Sequence, residues 1–152
     1  MLHHADPDRP PNPADTPPRS PHRRRRPDGV RPTVVVAEDD DELRHLMATK
    51  LRARGCVVVE VATGIALAEQ VAHHGATIEL VISDVRMPGL TGLEVIELVR
   101  HIDWGLPVIV VTGFGDADTH AEGLRLGARV FDKPVDLDEL AAAAGELLGL
   151  DR

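Results

Sequence analysis

The sequence predicts an α/β fold in which a parallel five-stranded sheet is covered by helices on both faces. Three observations predict it. Five short apolar runs rich in Val and Ile recur along residues 33–132, as strands buried on both faces require. Stretches with apolar residues at helical spacing separate them, and strand–helix alternation of this kind builds parallel sheets. Aromatic residues make up only 2% of the chain, so the core has to be aliphatic.

Thr33-Val34-Val35-Val36-Ala37 is the first run, and Leu43, Leu46, Met47 and Leu51 mark the helix after it. Cys56 to Val61 forms the second strand, followed by a weaker helical stretch at 65–74. Ile78 to Ser83 forms the third, followed by Leu93, Ile96 and Leu98-Val99 at helical spacing. Val108 to Val111 precedes a second weak helix at 116–126; Ala128 to Asp132 precedes the last, marked by Leu137, Leu140 and Leu147-Leu148. Helix starts carry side chains that accept from exposed backbone N–H groups: Asp40 or Asp41, Thr91, Asp116 and Asp136. Gly55 and Gly75 stand where helices must stop. Cys56 itself reads as a small strand hydrophobe, and His45, His73 and His74 as surface residues.

Residues 1–32 differ from the rest. Nine of the chain's twelve prolines lie there, among Asp, Asn and Arg, a composition too poor in apolar side chains to fold. The expected organisation is a disordered Pro/Arg-rich tail over 1–32 and a single folded domain over 33–150. Net charge divides the same way, at +3 for residues 1–32 and −11 for the remainder. An acidic body argues against nucleic acid as its main partner. Arg23-Arg24-Arg25-Arg26 supplies a basic patch, but without the interleaved aromatics of a base-stacking surface. A single cysteine excludes an intrachain disulfide framework. The absence of an apolar stretch near the ~20 residues of a membrane span, and of a signal-like apolar core at the start, leads to the expectation of a cytoplasmic protein with no membrane partner.

Open parallel sheets bind ligands beyond the carboxyl ends of their strands. Strand one ends in Glu38-Asp39-Asp40, strand three in Ser83-Asp84, strand four in Thr112-Gly113 and strand five in Asp132-Lys133-Pro134. Carboxylates gathered in one crevice repel unless a cation neutralises them. An all-oxygen donor set favours a hard divalent ion, with Mg²⁺ the natural candidate. The acids following Asp39 have a simpler explanation, since Asp41 and Glu42 suit a helix N-terminus. A carboxylate held beside Mg²⁺ can attack phosphorus and become an acyl phosphate. Lys133 would then neutralise phosphate oxygens, the Thr112 hydroxyl would donate to the phosphoryl group, and Gly113 would leave space for it.

These residues closely resemble the response-regulator receiver family of two-component signalling. Val34-Val35-Val36-Ala37-Glu38-Asp39-Asp40 is similar to its acidic pocket, and Val81-Ile82-Ser83-Asp84-Val85-Arg86-Met87-Pro88-Gly89 to its phosphoacceptor loop. Val110-Val111-Thr112-Gly113 and Asp132-Lys133-Pro134 resemble its threonine and lysine sites. The resemblance covers residues 33 to about 149. It implies a doubly wound, flavodoxin-like (βα)5 sandwich with strand order 2-1-3-4-5. It implies Asp84 as phosphoacceptor, and Mg²⁺ held by Asp39, Asp84 and the backbone carbonyl of Arg86, with Glu38 supporting through water. The phosphoryl donor would be a phosphohistidine on a sensor histidine kinase or phosphotransfer protein. Asp40 is read as a helix cap, and the Lys133-Pro134 bond, which must aim Lys133 back into the pocket, is expected to be cis.

Two departures from the family pattern stand out. Receivers commonly place Tyr or Phe three residues before the lysine, as a switch coupled to the threonine; here the position is Val130, and Phe131 should face the other way. The signal is therefore expected to travel from Thr112 through the backbone of Gly113 to Asp116, with Phe114 as the moving side chain. Ala62-Thr63-Gly64 is also one residue shorter than usual. With a single helix after Lys133, the expectation is a stand-alone, non-enzymatic receiver that signals by protein contact. Two alternatives compete with it. A hydrolase forming an aspartyl phosphate would want an acid two residues after the nucleophile, where this chain has Arg86. A nucleic-acid-binding protein would rest on Arg23 to Arg26 alone.

Overall fold

The computed structural model describes residues 26–150 apart from 104 and 114–116. The elements alternate without interruption: β1 Thr33–Ala37, α1 Asp41–Ala53, β2 Val57–Val61, α2 Gly64–His74, β3 Ile78–Asp84, α3 Gly92–Ile102, β4 Val108–Thr112, α4 Ala117–Arg125, β5 Arg129–Asp132 and α5 Leu137–Leu148. All strand pairs are parallel, in the order β2-β1-β3-β4-β5. Chain order thus reverses between β1 and β3, which opens the crevice at their carboxyl ends.

Alternation along each strand divides the core into two layers. Val35, Ala37, Val81, Val108 and Val110 pack with Leu67 of α2 and Val95, Ile96 and Val99 of α3. Val34, Val36, Leu80, Ile82, Ile109 and Val111 pack with Met47 and Leu51 of α1 and Leu140, Ala144 and Leu148 of α5. The central strands β1, β3 and β4 are almost wholly buried, which is why they are runs of Val, Ile and Leu rather than alternating patterns. Cys56 is buried just before β2, while His45, His73 and His74 are exposed.

Side-chain caps set four of the helix starts. Asp40 accepts from the Leu43 N–H, Thr63 from Ala66, Thr91 from Glu94, and Asp136 from Asp138 and Glu139. Thr63 is a cap that the weak periodicity of this segment did not reveal. Asp116, the expected cap of α4, lies outside the described residues. One buried and one half-buried set of contacts anchor the far end of the sheet. The Arg100 guanidinium, on α3, donates to the carbonyls of Leu126, Leu106 and Asp103 at 2.7, 2.6 and 3.3 Å. Arg26 pairs with Glu79 at 2.8 Å and donates to the Leu148 carbonyl, while the Pro32 carbonyl accepts from Val57. Among the described residues, contacts to the sheet extend at least seven residues before β1, into the expected tail; residues 1–25 are outside the described residues.

Candidate functional site

Glu38 ends the climb of β1 and is wholly buried, its N–H donated to the Val61 carbonyl of β2. Asp84 closes β3 and is 4% exposed. Asp39, between them at the start of the β1–α1 turn, is exposed. One carboxylate oxygen from each of Glu38, Asp39 and Asp84 lies within 4.8 Å of the other two. Two segments far apart in sequence, the ends of β1 and β3, thus deliver three acids to one point.

Lys133 reaches the same point from the end of β5. Its ammonium is 3.2 Å from Asp84 Oδ2, and 3.3 and 3.2 Å from the two Glu38 oxygens. The backbone aims it there: the Lys133 N–H donates to the Thr112 carbonyl at 2.7 Å, and the Lys133–Pro134 peptide is cis. Thr112 is buried at the end of β4, in register with Asp132. Gly113 is exposed, and a Cβ built there would meet nothing within 4 Å.

Burial and the charge of Asp84 push the Glu38 carboxyl up to about 7, against the opposing pull of the Asp40 N–H and Lys133. Burial alone would lower the Lys133 ammonium, but Asp84 and Glu38 outweigh it and hold it above its usual range. One ammonium does not neutralise three carboxylates, and Glu38 Oε2, though 3.2 Å from that ammonium, is buried without a hydrogen bond. An oxygen-only cluster with excess negative charge and an unsatisfied buried acceptor is a setting that fits a hydrated divalent cation.

The loop after Asp84 is packed tightly from below and beside. The Arg86 N–H donates to Asp84 Oδ1 at 3.3 Å, and the Ser83 hydroxyl to the Asp84 carbonyl at 2.8 Å. A Cβ on Gly92 would sit 2.2 Å from that carbonyl, and one on Gly64 only 1.7 Å from the Leu90 carbonyl. Only glycine permits these approaches.

Val130 and Phe131 face opposite layers, Val130 with the α2/α3 side and Phe131 with the α1/α5 side. Val130 lies against α4 at a point where a Cβ on Gly123 would be 2.8 Å from its methyl. Phe114 is outside the described residues. Three features here went unseen in the sequence: Arg44, which donates to the Glu38 carbonyl; Glu60, which faces Arg44; and the pair of His120 on α4 with Asp132 at 2.6 Å. Each depends on partners far apart in the chain or on a turn whose shape no periodicity reports.

Comparison with known proteins agrees with this geometry. Residues 34–145 match the family model "Response regulator receiver domain". The transcriptional regulatory protein FixJ of Azorhizobium caulinodans is 34% identical over 119 residues, spanning 76% of this chain and 54% of FixJ. Sporulation initiation phosphotransferase F of Bacillus subtilis is 29% identical over 118 residues, covering 77% of this chain and 94% of that protein. The crystal structure of a response regulator receiver protein from Pseudomonas putida superposes with a TM-score of 0.69 at 32% identity, over 77% of this chain and 98% of that one. The family match spans most of the folded residues, and the chain belongs to the response regulator receiver family of two-component signalling.

Proposed function

We propose that Asp84 is the residue that takes the phosphoryl group when this receiver is activated. The observation that carries the proposal is its placement: a buried carboxylate 3.2 Å from the Lys133 ammonium, with the Glu38 and Asp39 carboxylates within 4.8 Å. Asp39, Asp84 and the Arg86 backbone carbonyl would hold Mg²⁺, with Glu38 supporting through water. When bound, the ion would screen the carboxylates and polarise the incoming phosphoryl group.

An Asp84 oxygen attacks the phosphorus of a phosphohistidine; the new P–O bond forms as the P–N bond breaks, and the imidazole leaves with the electron pair. Lys133 exchanges its contact with Asp84 for one with phosphoryl oxygens, acting as a mobile point charge. Thr112, buried at the end of β4, donates its hydroxyl to the phosphoryl group, and the open space beside Gly113 admits it. Displacement of Thr112 pulls the β4–α4 connection, with Phe114 and the Val130 contact as candidate carriers of the signal to α4. The donor would be a sensor histidine kinase or phosphotransfer protein, as for receivers in general. The output would be a protein contact in the cytoplasm, with no enzymatic step.

Incubating the full chain with Mg²⁺ and acetyl phosphate, followed by intact-mass measurement, tests the assignment. One phosphoryl group should be gained by the wild type and none by Asp84→Asn. Equal phosphorylation of the variant would refute it.

A further inference from the structure

A second cation stands beside the acids and is not used in the phosphoryl chemistry. Arg44 lies at the end of the first turn of α1, and its side chain is only 17% exposed. Its guanidinium has contacts in three directions, though Nε makes no hydrogen bond. Nη1 donates to the Glu38 carbonyl at 2.9 Å, Nη2 pairs with Asp41 at 2.6 Å, and Nε faces Glu60 of β2 at 3.6 Å. Glu60 is itself held by Arg52 at 3.2 Å. A planar fork suits this work; a lysine, with a single point of charge, can serve only one of the three directions well.

The Glu38 carbonyl belongs to the peptide that joins Glu38 to Asp39. On the other side of Asp39, the Asp40 N–H donates to Glu38 Oε1 at 3.2 Å. The backbone of Asp39 is therefore gripped on both sides, by Arg44 before it and by the Glu38 side chain after it. Asp39 itself is exposed and its carboxylate makes no hydrogen bond or ion pair among the described residues. With no such partner to hold it, the carboxylate relies on its backbone to place its Cβ and so to set which positions its rotamers can reach.

We infer that Arg44 is a positioning residue for the metal site: by holding the Glu38–Asp39 peptide plane it aims the Asp39 carboxylate at the point shared with Asp84. The inference rests on the reading of the acidic pocket as a Mg²⁺ site. It makes a prediction opposite in sign to simple electrostatics. Deleting a positive charge beside an acidic cluster should tighten cation binding; deleting a group that orients a ligand loosens it, typically by 10- to 100-fold for partners one shell out from a metal.

Isothermal titration of Mg²⁺ into the full chain decides between them, with urea unfolding run alongside to establish that each variant is folded. Arg44→Met should raise the Mg²⁺ dissociation constant about ten-fold. Arg44→Lys, which keeps the charge without the fork, should fall between Arg44→Met and wild type, and it carries the test should Arg44→Met not fold. Glu60→Gln, which leaves the Glu38 carbonyl contact in place, should bind nearly as wild type. Phosphorylation of Arg44→Met by acetyl phosphate should need more Mg²⁺ but approach the wild-type rate at saturation. Unchanged or tighter Mg²⁺ binding by both Arg44 variants overturns the inference alone. A wild-type chain that binds no Mg²⁺ overturns the pocket reading, and this inference with it.

Discussion

Replacing Glu38 with Gln should stabilise the metal-free protein in alkaline solution, and the gain should depend on pH in a defined way. Glu38 is wholly buried, and burial together with the Asp84 charge raises its carboxyl from 4.5 to about 7. A carboxyl with a folded pKa above its unfolded value is protonated preferentially in the folded state. Its burial therefore costs nothing below about pH 4.5, costs progressively more as pH climbs, and reaches its full penalty above pH 7. At 1.36 kcal/mol per pKa unit, the displacement corresponds to about 3 kcal/mol. Gln removes the charge but leaves an amide N–H₂ to be satisfied, which trims the expected gain at pH 8 to about 2 kcal/mol. Urea unfolding in EDTA from pH 4.5 to 8.5 measures it. The variant should be the weaker by about 1 kcal/mol at the acid end, where both side chains are neutral and only the amide differs, and should overtake the wild type between about pH 5 and 7. Saturating Mg²⁺ should narrow the gap by neutralising the wild-type acids. A stability difference that stays flat with pH, or a variant that is the weaker at pH 8, would refute the argument.

Two further outcomes follow from contacts away from the acids. Arg100→Met should lower stability by about 3 kcal/mol or more in the same urea assay, because three carbonyls lose a charged donor in a buried site. Removing residues 1–25 should leave the unfolding midpoint almost unchanged. Removing 1–32 should cost a further ~1–2 kcal/mol by deleting the Arg26–Glu79 pair and the Pro32–Val57 hydrogen bond; equal midpoints for the two truncations would show that this segment adds no stability.

Much of the fold was legible because the central strands β1, β3 and β4 are buried on both faces and so had to be continuous aliphatic runs. The edge strands β2 and β5, expected to be buried likewise, are partly exposed. Val34-Val35-Val36 cannot be read as a surface segment, and the runs of β1, β3, β4 and β5 end in the polar residues found at the carboxyl edge of the sheet. The acids and Lys133 were legible for the same reason: a polar residue directly after a buried strand lies where the sheet opens. What stayed hidden depends on partners rather than on position. Arg100 is in the last turn of α3, where a basic residue suits the helix dipole whether exposed or buried, so its fully buried role left no trace. Arg26 sits in a run of arginines, and nothing local reveals a partner 53 residues away. Thr63 was missed as a cap since α2 itself was only weakly periodic. The crowding at Gly64 is a contact between a helix start and a loop 26 residues later, which no local pattern encodes.

The His120–Asp132 pair ties α4 to the residue immediately before Lys133. If moving α4 breaks this pair and shifts Lys133 with Asp132, helix position and ammonium position are coupled, and thermodynamic linkage makes the coupling two-way. A protein that binds α4 better when His120 has let go of Asp132 favours whichever placement of Lys133 accompanies that release. If phosphorylation selects the same placement, occupancy of α4 raises the phosphorylated fraction by the same factor by which phosphorylation raises the affinity for that protein. The output partner would then act as an input, and a scarce target would itself help to set how much of the receiver is phosphorylated.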